Sequence, residues 1–331
     1  FCGPVFAHSF GANTMHFDRI TVADGLAQGS VMAIEQDHSG FMWFATESGL
    51  DRYDGFTFKH YRHERGNPNA LASDFIRDLD VAEDGTLWIA TDGGGVSRWD
   101  PATDSIRNFR HAEGYDRSLA TDEIRTVLAG DDGYVWIGTR DSGLDRLNTA
   151  TNEITHFVNR ADDPASLSSN EIFALALDGK GSLWVGVRGG LNRLELATGR
   201  ITRFEPRVSG AANLADATIR SLLIASDNTL WVGTESSGLM AVDPETGAVR
   251  SYVHDPAVPT SLSSNLVASL FEDDSNRLWV GTDAGLNLMD VDTGGFTTYR
   301  NDPADPASIS ADSIFSIYQD RGGLLWFGTL T

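Results

Sequence analysis

The chain has 331 residues, and its 25 Lys and Arg against 47 Asp and Glu give a formal net charge of −22. This acidic balance, with no run of cations, argues against nucleic acid and anionic membrane surfaces as partners, because both attract clustered Lys and Arg. The single cysteine, Cys2, excludes a disulfide framework and a cysteine metal site. No stretch of 18 or more apolar residues occurs, so the sequence predicts no membrane span.

The first residues have the features of a signal-peptide end. The chain starts at Phe1 rather than Met, and Val5 and Ala7 occupy the −3 and −1 positions of a signal-peptidase site. We predict that residues 1–7 end a signal peptide, that residues 1–16 form this remnant and a linker, and that the mature protein is exported. A disordered N-terminal segment is the alternative.

A tryptophan ladder runs along the rest of the chain. Each rung has an aliphatic residue twelve positions before the Trp, and a period of this size indicates a repeat fold. Seven of the eight tryptophans recur at intervals of 45 to 48 residues: Trp43, Trp88, Trp136, Trp184, Trp231, Trp279 and Trp326.

Each repeat is predicted to form four short strands. In the third repeat these are residues 124–128, the strand around Trp136, residues 144–147 and residues 154–157, with Asp132-Gly133 as the first hairpin turn. Four such strands bury both faces only when copies stack around an axis. We therefore predict an all-β fold, a seven-bladed β-propeller of four-stranded antiparallel blades over residues 17–331.

The last repeat predicts how the ring closes. Its first strand (residues 314–318) and second strand (residues 325–328) are present, but the sequence stops before the expected third strand. We expect Phe17–Val22 to supply the fourth strand of this blade and to close the ring. The last blade is then truncated, and we expect more protein to follow in the natural product.

The repeat resembles that of the two-component regulator propeller family. Residues 41–55 read FMWFATESGLDRYDG, and residues 134–139 followed by 143–146 are similar. This resemblance implies a periplasmic sensor domain whose output is a histidine kinase, often in a hybrid system, or a diguanylate cyclase. Several such sensors detect oligosaccharides. The pattern departs from the family at Val187, which replaces Thr, and in two repeats that lack the Arg of the third strand.

The seven ladder tryptophans are predicted to be structural, because each occupies a fixed, apolar mid-strand position. Trp99 takes a third-strand position and is interpreted in the same way. The candidate ligand-binding residues lie instead in the turns after the Trp strand, where the copies differ in charge and where loops on a rigid scaffold carry binding. These candidates are Glu47, Asp92, Arg140, Asp141, Arg188, Glu235 and Asp283.

Two readings of these turns remain open, namely a polar ligand site and ordinary solvated turns. Phe75 and Phe173, near the start of a first strand, either offer an aromatic face to the channel or pack in the core. The His residues are scattered, and Asp131-Asp132-Gly133 and Asp273-Asp274 read as hairpin turns, so no metal or cofactor is predicted.

We therefore expect a ligand-sensing propeller of a bacterial signal-transduction receptor rather than an enzyme. Its expected partners are a small polar ligand such as an oligosaccharide and downstream domains of the same chain, and a homodimer of the full receptor stays open. A propeller lyase or glycosidase is one alternative, although no His occupies the turns after the Trp strand. A protein-interaction platform is another.

Overall fold

The computed structural model describes residues 15–205, 214 and 216–330. The predicted signal-peptide remnant lies almost wholly outside these residues. Within them, no helix is long and apolar enough to cross a membrane. The chain enters through a single 3-10 turn, Val22–Asp24, which Thr21 caps at its N-terminus.

The first three blades are four-stranded antiparallel sheets in which each strand pairs with the next along the chain. Their strands are β1 (Val31–Gln36), β2 (Met42–Thr46), β3 (Gly49–Tyr53) and β4 (Phe58–Tyr61); β5 (Ile76–Val81), β6 (Leu87–Thr91), β7 (Gly95–Asp100) and β8 (Ser105–Phe109); and β9 (Ile124–Ala129), β10 (Tyr134–Thr139), β11 (Leu144–Asn148) and β12 (Ile154–Phe157).

Three further blades repeat this arrangement, and a two-stranded sheet takes the seventh place. Their strands are β13 (Ile172–Leu177), β14 (Ser182–Val187), β15 (Gly190–Glu195) and β16 (Ile201–Arg203); β17 (Ile219–Ile224), β18 (Leu230–Thr234), β19 (Leu239–Val242) and β20 (Val249–Tyr252); β21 (Val267–Glu272), β22 (Leu278–Thr282), β23 (Gly285–Met289) and β24 (Phe296–Tyr299); and β25 (Ile314–Gln319) and β26 (Leu325–Thr329).

The first strands of all seven sheets form a closed inner ring, because each contacts the first strand of the next sheet and β25 contacts β1. The predicted all-β propeller is therefore confirmed. The prediction of seven four-stranded blades is corrected, since six sheets have four strands and the seventh has two.

The N-terminal segment lies beside the seventh sheet but forms no strand in it. The Phe17 amide donates to the Ala307 carbonyl at 3.0 Å, and the Arg19 guanidinium donates to the Ser308 carbonyl at 2.9 Å. The Phe17 ring packs edge-on against Phe327 of β26, with ring centroids 5.7 Å apart. The location of the predicted closing segment was right and its strand pairing was wrong. No third strand stands beside β26 in the described residues, so the segment has no ladder to join.

The ladder tryptophans lie between blades. Five of them, including Trp43 and Trp184, are at most 2% exposed, whereas Trp231 and Trp326 are half-buried. The Trp43 indole N–H donates to the carboxylate of Asp37 at 2.8 Å, which satisfies a polar group that burial would otherwise leave unpaired. The Trp184 indole N–H has no hydrogen-bond partner among the described residues, so this side chain contributes through packing.

A glycine two residues after the Trp allows neighbouring blades to approach. A Cβ on Gly186 would lie 2.6 Å from a methyl carbon of Ile219 in the next first strand. Because no real Cβ tolerates such a contact, a larger residue would force the blades apart.

Every first strand contains a register shift after its first residue. In β5, for example, Ile76 pairs with Thr91 and Asp78 pairs with Ala90, so Arg77 has no partner of its own. This is a β-bulge, a feature that redirects a side chain out of the regular alternation. The same shift recurs in all seven sheets.

Candidate ligand site at the channel mouth

The seven bulge residues line one cavity at the end of the central channel. We call these residues the mouth ring, and each is half-buried. The cavity has a volume of about 250 Å³, and all seven blades contribute to it. The mouth ring consists of Met32, Arg77, Arg125, Phe173, Arg220, Ala268 and Phe315.

One side of the mouth holds a chain of ion pairs. An Arg77 Nη2–Asp92 Oδ2 contact of 2.5 Å joins the ring to the turn after the second Trp. Arg140 Nη1 lies 3.0 Å from Glu123 Oε2 and 3.9 Å from Asp92 Oδ1. Burial alone would raise the pKa of the Asp92 carboxyl, but Arg77 and Arg140 hold it below its ordinary value. On this side, cations and carboxylates balance.

The other side of the mouth has cations with fewer partners. The Arg125 guanidinium lies 4.0 Å from the centroid of the Phe173 ring, and that of Arg220 lies 5.2 Å from the same centroid. Glu171 pairs with Arg188, with 2.8 Å between Glu171 Oε1 and Arg188 Nε. The other carboxylate oxygen of Glu171 lies 3.9 Å from Arg125 Nη1. That buried Nη1 has no hydrogen-bond partner among the described residues.

Arg220 is still less engaged. Within the described part of the chain, no hydrogen bond or ion pair involves its guanidinium. The guanidinium does make a cation–π contact with the Phe173 ring. Burial lowers the pKa of the Arg125 guanidinium, Glu171 opposes this, and the cations Arg140, Arg220 and Arg188 lower it further. The mouth therefore concentrates positive charge on the Phe173 side.

The lining as a whole is cationic in an acidic protein. Four arginines and two carboxylates line the cavity, so its formal charge is +2, whereas the whole chain carries −22. Buried or half-buried cations are costly unless something pairs with them. A negatively charged group in the mouth would therefore be stabilised by these arginines.

Further along the first strands the charge reverses. Glu35, Asp78 and Asp80, which we call the carboxylate cluster, lie on the adjacent first strands β1 and β5. Burial raises the pKa of Asp78 to about 6 and that of Asp80 to about 7, with Asp78 adding to the latter shift. Burial and the two aspartates also raise the pKa of Glu35 well above its ordinary value.

The two aspartates of the cluster join neighbouring blades. Asp78 accepts hydrogen bonds from the Thr126 hydroxyl at 2.7 Å and the Val127 amide at 3.0 Å, and Asp80 accepts one from the Ala129 amide at 2.5 Å. Their oxygens therefore satisfy the backbone of β9. Among the described residues, no group of three or more His, Cys, Asp or Glu is arranged to hold a metal ion.

The candidate turn residues do not all converge. Asp92 and Arg140 line the mouth, and Arg188 joins it through Glu171. Glu47 lines a separate cleft of about 570 Å³ between the first two blades, together with Phe75. The positions of these turn residues do not test whether they bind a ligand, so their binding roles stay predictions.

The remaining three candidates make local contacts. The Ser142 hydroxyl donates to the Asp141 carboxylate at 2.8 Å. The Glu235 amide donates to the Thr218 carbonyl at 2.9 Å, and the Asp283 carbonyl accepts from the Ser313 hydroxyl at 3.4 Å. None of the three is among the residues that line the mouth cavity.

Sequence reasoning missed most of the mouth ring. Of the seven residues, only Phe173 was considered from the sequence. Regular alternation along a strand does not predict that the residue after the first aliphatic position points into one common cavity in every blade. One signal was present. The position next to the invariant aliphatic varies from Arg to Phe, Met and Ala, which packing between identical blades does not explain.

The turn beside the mouth is closed by the Thr of the repeat. The Thr46 hydroxyl donates to the Gly49 carbonyl at 2.8 Å, and Thr139 makes the equivalent bond to Gly143 at 2.7 Å. Val187 lacks this donor and is fully buried, so its turn depends on backbone bonds from Gly189 and Gly190.

The blades, their inner ring and the Trp strand together define a β-propeller built from one repeated unit. The sequence profile of the two component regulator propeller matches this unit five times, at residues 25–48, 166–189, 213–236, 261–284 and 308–331. Each match runs from the loop before a first strand to the turn after the Trp strand. Five of its repeats therefore match two-component regulator propeller repeats.

Two similar known proteins are longer than this chain. The extracellular domain of a hybrid two-component system from B. thetaiotaomicron is 25% identical with a TM-score of 0.80, and the match covers 96% of this chain and 41% of that one. Histidine kinase P4 of Formosa agariphila is 43% identical over 56 residues, which is 17% of this chain and 4% of that protein. This chain therefore spans about two fifths of the solved structure.

A likeness to an enzyme is confined to the fold. Virginiamycin B lyase from Staphylococcus aureus is 12% identical with a TM-score of 0.64, and the match covers 91% of this chain and 92% of the lyase. At that identity the comparison shows a common propeller architecture and carries no active site across.

Proposed function

We propose that this chain is the ligand-sensing propeller of an extracytoplasmic signal receptor, and that its ligand binds at the channel mouth. The family and the extracellular domain of the hybrid two-component system that it resembles support a sensor role. The observation that carries the site is the mouth ring, where one redirected side chain from each of the seven blades meets a single cavity.

A site made by every blade suits a sensor. Ligand contacts there bear on several first strands at once, so binding is coupled to the arrangement of the whole ring. A ligand shifts a receptor only by its differential affinity for two states. A polar ligand, such as the end of an oligosaccharide, is favoured because charged and hydrogen-bonding groups dominate the lining.

Calorimetric titration with a panel of neutral and acidic oligosaccharides tests this proposal. We expect one member to bind with a stoichiometry of one and to raise the melting temperature, since a ligand of the folded state stabilises it. The absence of heat and of a thermal shift for every member would contradict a sensor of polar ligands.

A glycosidase is the second candidate, because the carboxylate cluster brings acids with raised pKa values together on two adjacent first strands. The hydrogen bonds from β9 to Asp78 and Asp80 favour a structural role for them instead. Incubation of the purified chain with the same panel, followed by product analysis, separates the two functions. Formation of products that Asp80→Asn abolishes would favour the enzyme.

A further inference from the structure

We infer that the mouth binds a carboxylate-bearing small molecule, a sugar acid, through Arg125 and Arg220, whose guanidinium groups both lie against the Phe173 ring. The inference rests on the proposed function and narrows the class of ligand from polar to anionic. It follows from three independent features: the partners that these cations lack, their placement on one aromatic ring, and the size of the cavity.

The two guanidinium groups are the least satisfied cations of the mouth. Arg77 and Arg140 are paired with carboxylates within 3.0 Å, but the nearest carboxylate oxygen to Arg125 is 3.9 Å from its Nη1. Among the described residues, none pairs with Arg220 through a hydrogen bond or a salt bridge. An incoming anion therefore meets donors that make no hydrogen bond to any described residue.

The Phe173 ring holds both cations in place. The guanidinium carbons lie 4.0 Å and 5.2 Å from its centroid, within the range of cation–π contact. A guanidinium stacked on an aromatic ring keeps the N–H donors in its own plane free, and these match the two oxygens of a carboxylate. Arg125, Phe173 and Arg220 come from three consecutive blades, so the arrangement exists only when these blades pack side by side.

The cavity sets the size of what enters. Its volume of about 250 Å³ lies just below the roughly 300–1,000 Å³ of sites for drug-sized ligands. One sugar ring or a comparably small acid fits this space, and the rest of a longer chain would extend out of the mouth. The ligand is thus expected to insert an acidic terminal unit.

The charge of the site selects against neutral ligands. The +2 lining faces a cavity whose walls exclude part of the solvent, where electrostatic interactions are stronger than in water. The overall charge of −22 repels anions at long range, and added salt screens that repulsion. Specificity for an acid therefore resides in the local arginines rather than in the field of the protein.

Calorimetry with D-galacturonate and D-galactose tests the inference, because these two probes differ in the carboxylate. We expect galacturonate to bind at least about tenfold more tightly. Arg125→Ala and Arg220→Ala should each weaken it by about tenfold or more, as expected for a lost charge-assisted hydrogen bond. Arg220→Lys should recover part of the affinity, since it retains the charge without the planar fork.

Two matched controls keep this readout specific. Arg250→Ala removes the same charge from β20, the outermost strand of its blade, and should leave binding unchanged. Phe56→Leu makes the same exchange at an exposed residue outside the mouth and should leave binding unchanged, whereas Phe173→Leu should weaken galacturonate binding. Circular dichroism and thermal melting establish that each variant is folded before titration.

The outcomes separate the inference from the proposed function. If neutral oligosaccharides bind and the Arg125 and Arg220 variants bind them equally well, the inference fails and the sensor proposal stands. If sulfate or phosphate displaces galacturonate and binds more tightly, the carboxylate assignment is wrong. If no acidic or neutral sugar binds, both proposals fail.

Discussion

The mouth and the carboxylate cluster are built from the same first strands and carry opposite charge. Arg77 belongs to the mouth, and Asp80 stands three residues later in β5, roughly 10 Å along the strand. The aspartates of the cluster are hydrogen-bonded to the backbone of β9, whereas the guanidinium groups of Arg125 and Arg220 make no hydrogen bond to a described residue. The carboxylate cluster therefore joins neighbouring blades, whereas the mouth is available to a ligand.

Substitution of a packing residue of the blades tests this division of roles and should have the largest effect on stability. Trp184 is fully buried and its indole N–H meets no acceptor among the described residues, so Trp184→Ala leaves a cavity that should cost about 3–5 kcal/mol of unfolding free energy. Trp184→Phe should retain most of the stability. Denaturant unfolding measures both.

A mouth residue should contribute far less to the unfolding free energy than Trp184 does. Arg220→Ala should change the unfolding free energy by well under 1 kcal/mol, as for substitutions away from packed features. If Trp184→Ala costs no more than Arg220→Ala, the separation of packing residues from channel residues is wrong.

The carboxylate cluster predicts an unusual pH dependence. With pKa values of about 6 and about 7 in the folded state, Asp78 and Asp80 keep protons that the unfolded chain loses near pH 4. Their contribution to stability therefore falls as pH rises from about 4 to 7. Asp80→Asn should remove much of this fall and stabilise the protein at pH 8, by on the order of 2 kcal/mol.

Thermal melting from pH 4 to pH 8 measures this effect. Asp274→Asn is the matched control, because it removes the same charge at an exposed turn residue and should shift the whole curve little. A fall in stability that Asp80→Asn and Asp274→Asn alter equally would assign the pH dependence to net charge rather than to the cluster.

The balanced side of the mouth carries the smallest prediction. The half-buried Arg77–Asp92 pair should contribute about 0.5–1 kcal/mol, measured by a double-mutant cycle of Arg77→Met and Asp92→Asn. Arg77→Met should also weaken galacturonate binding less than Arg220→Ala does. An equal or greater loss at Arg77 would move the ligand to the other side of the mouth.

The propeller was predictable because its packing repeats. The Trp ladder and the aliphatic residue twelve positions before each Trp recur in every blade, and the strands lie where that register predicts. The closing strand was not predictable in the same way. Phe17 has the spacing of a fourth-strand residue, but strand pairing requires a neighbour beside β26, and spacing does not supply one.

The candidate site was predictable only in part, because it depends on bulges. Asp92 and Arg140 were found from charge variation in the turns, and the structure places both at the mouth. Arg125 and Arg220 were missed, since their direction comes from a one-residue shift between strands that leaves no mark in the strand pattern. Convergence of residues from different blades is a property of the closed ring.

A crystal structure with D-galacturonate is the most direct test of the account. We predict one molecule in the mouth, with its carboxylate within hydrogen-bonding distance of Arg125 and Arg220 and beside the Phe173 ring. Density for the sugar in the cleft lined by Glu47 and Phe75, with the mouth unoccupied, would contradict the account.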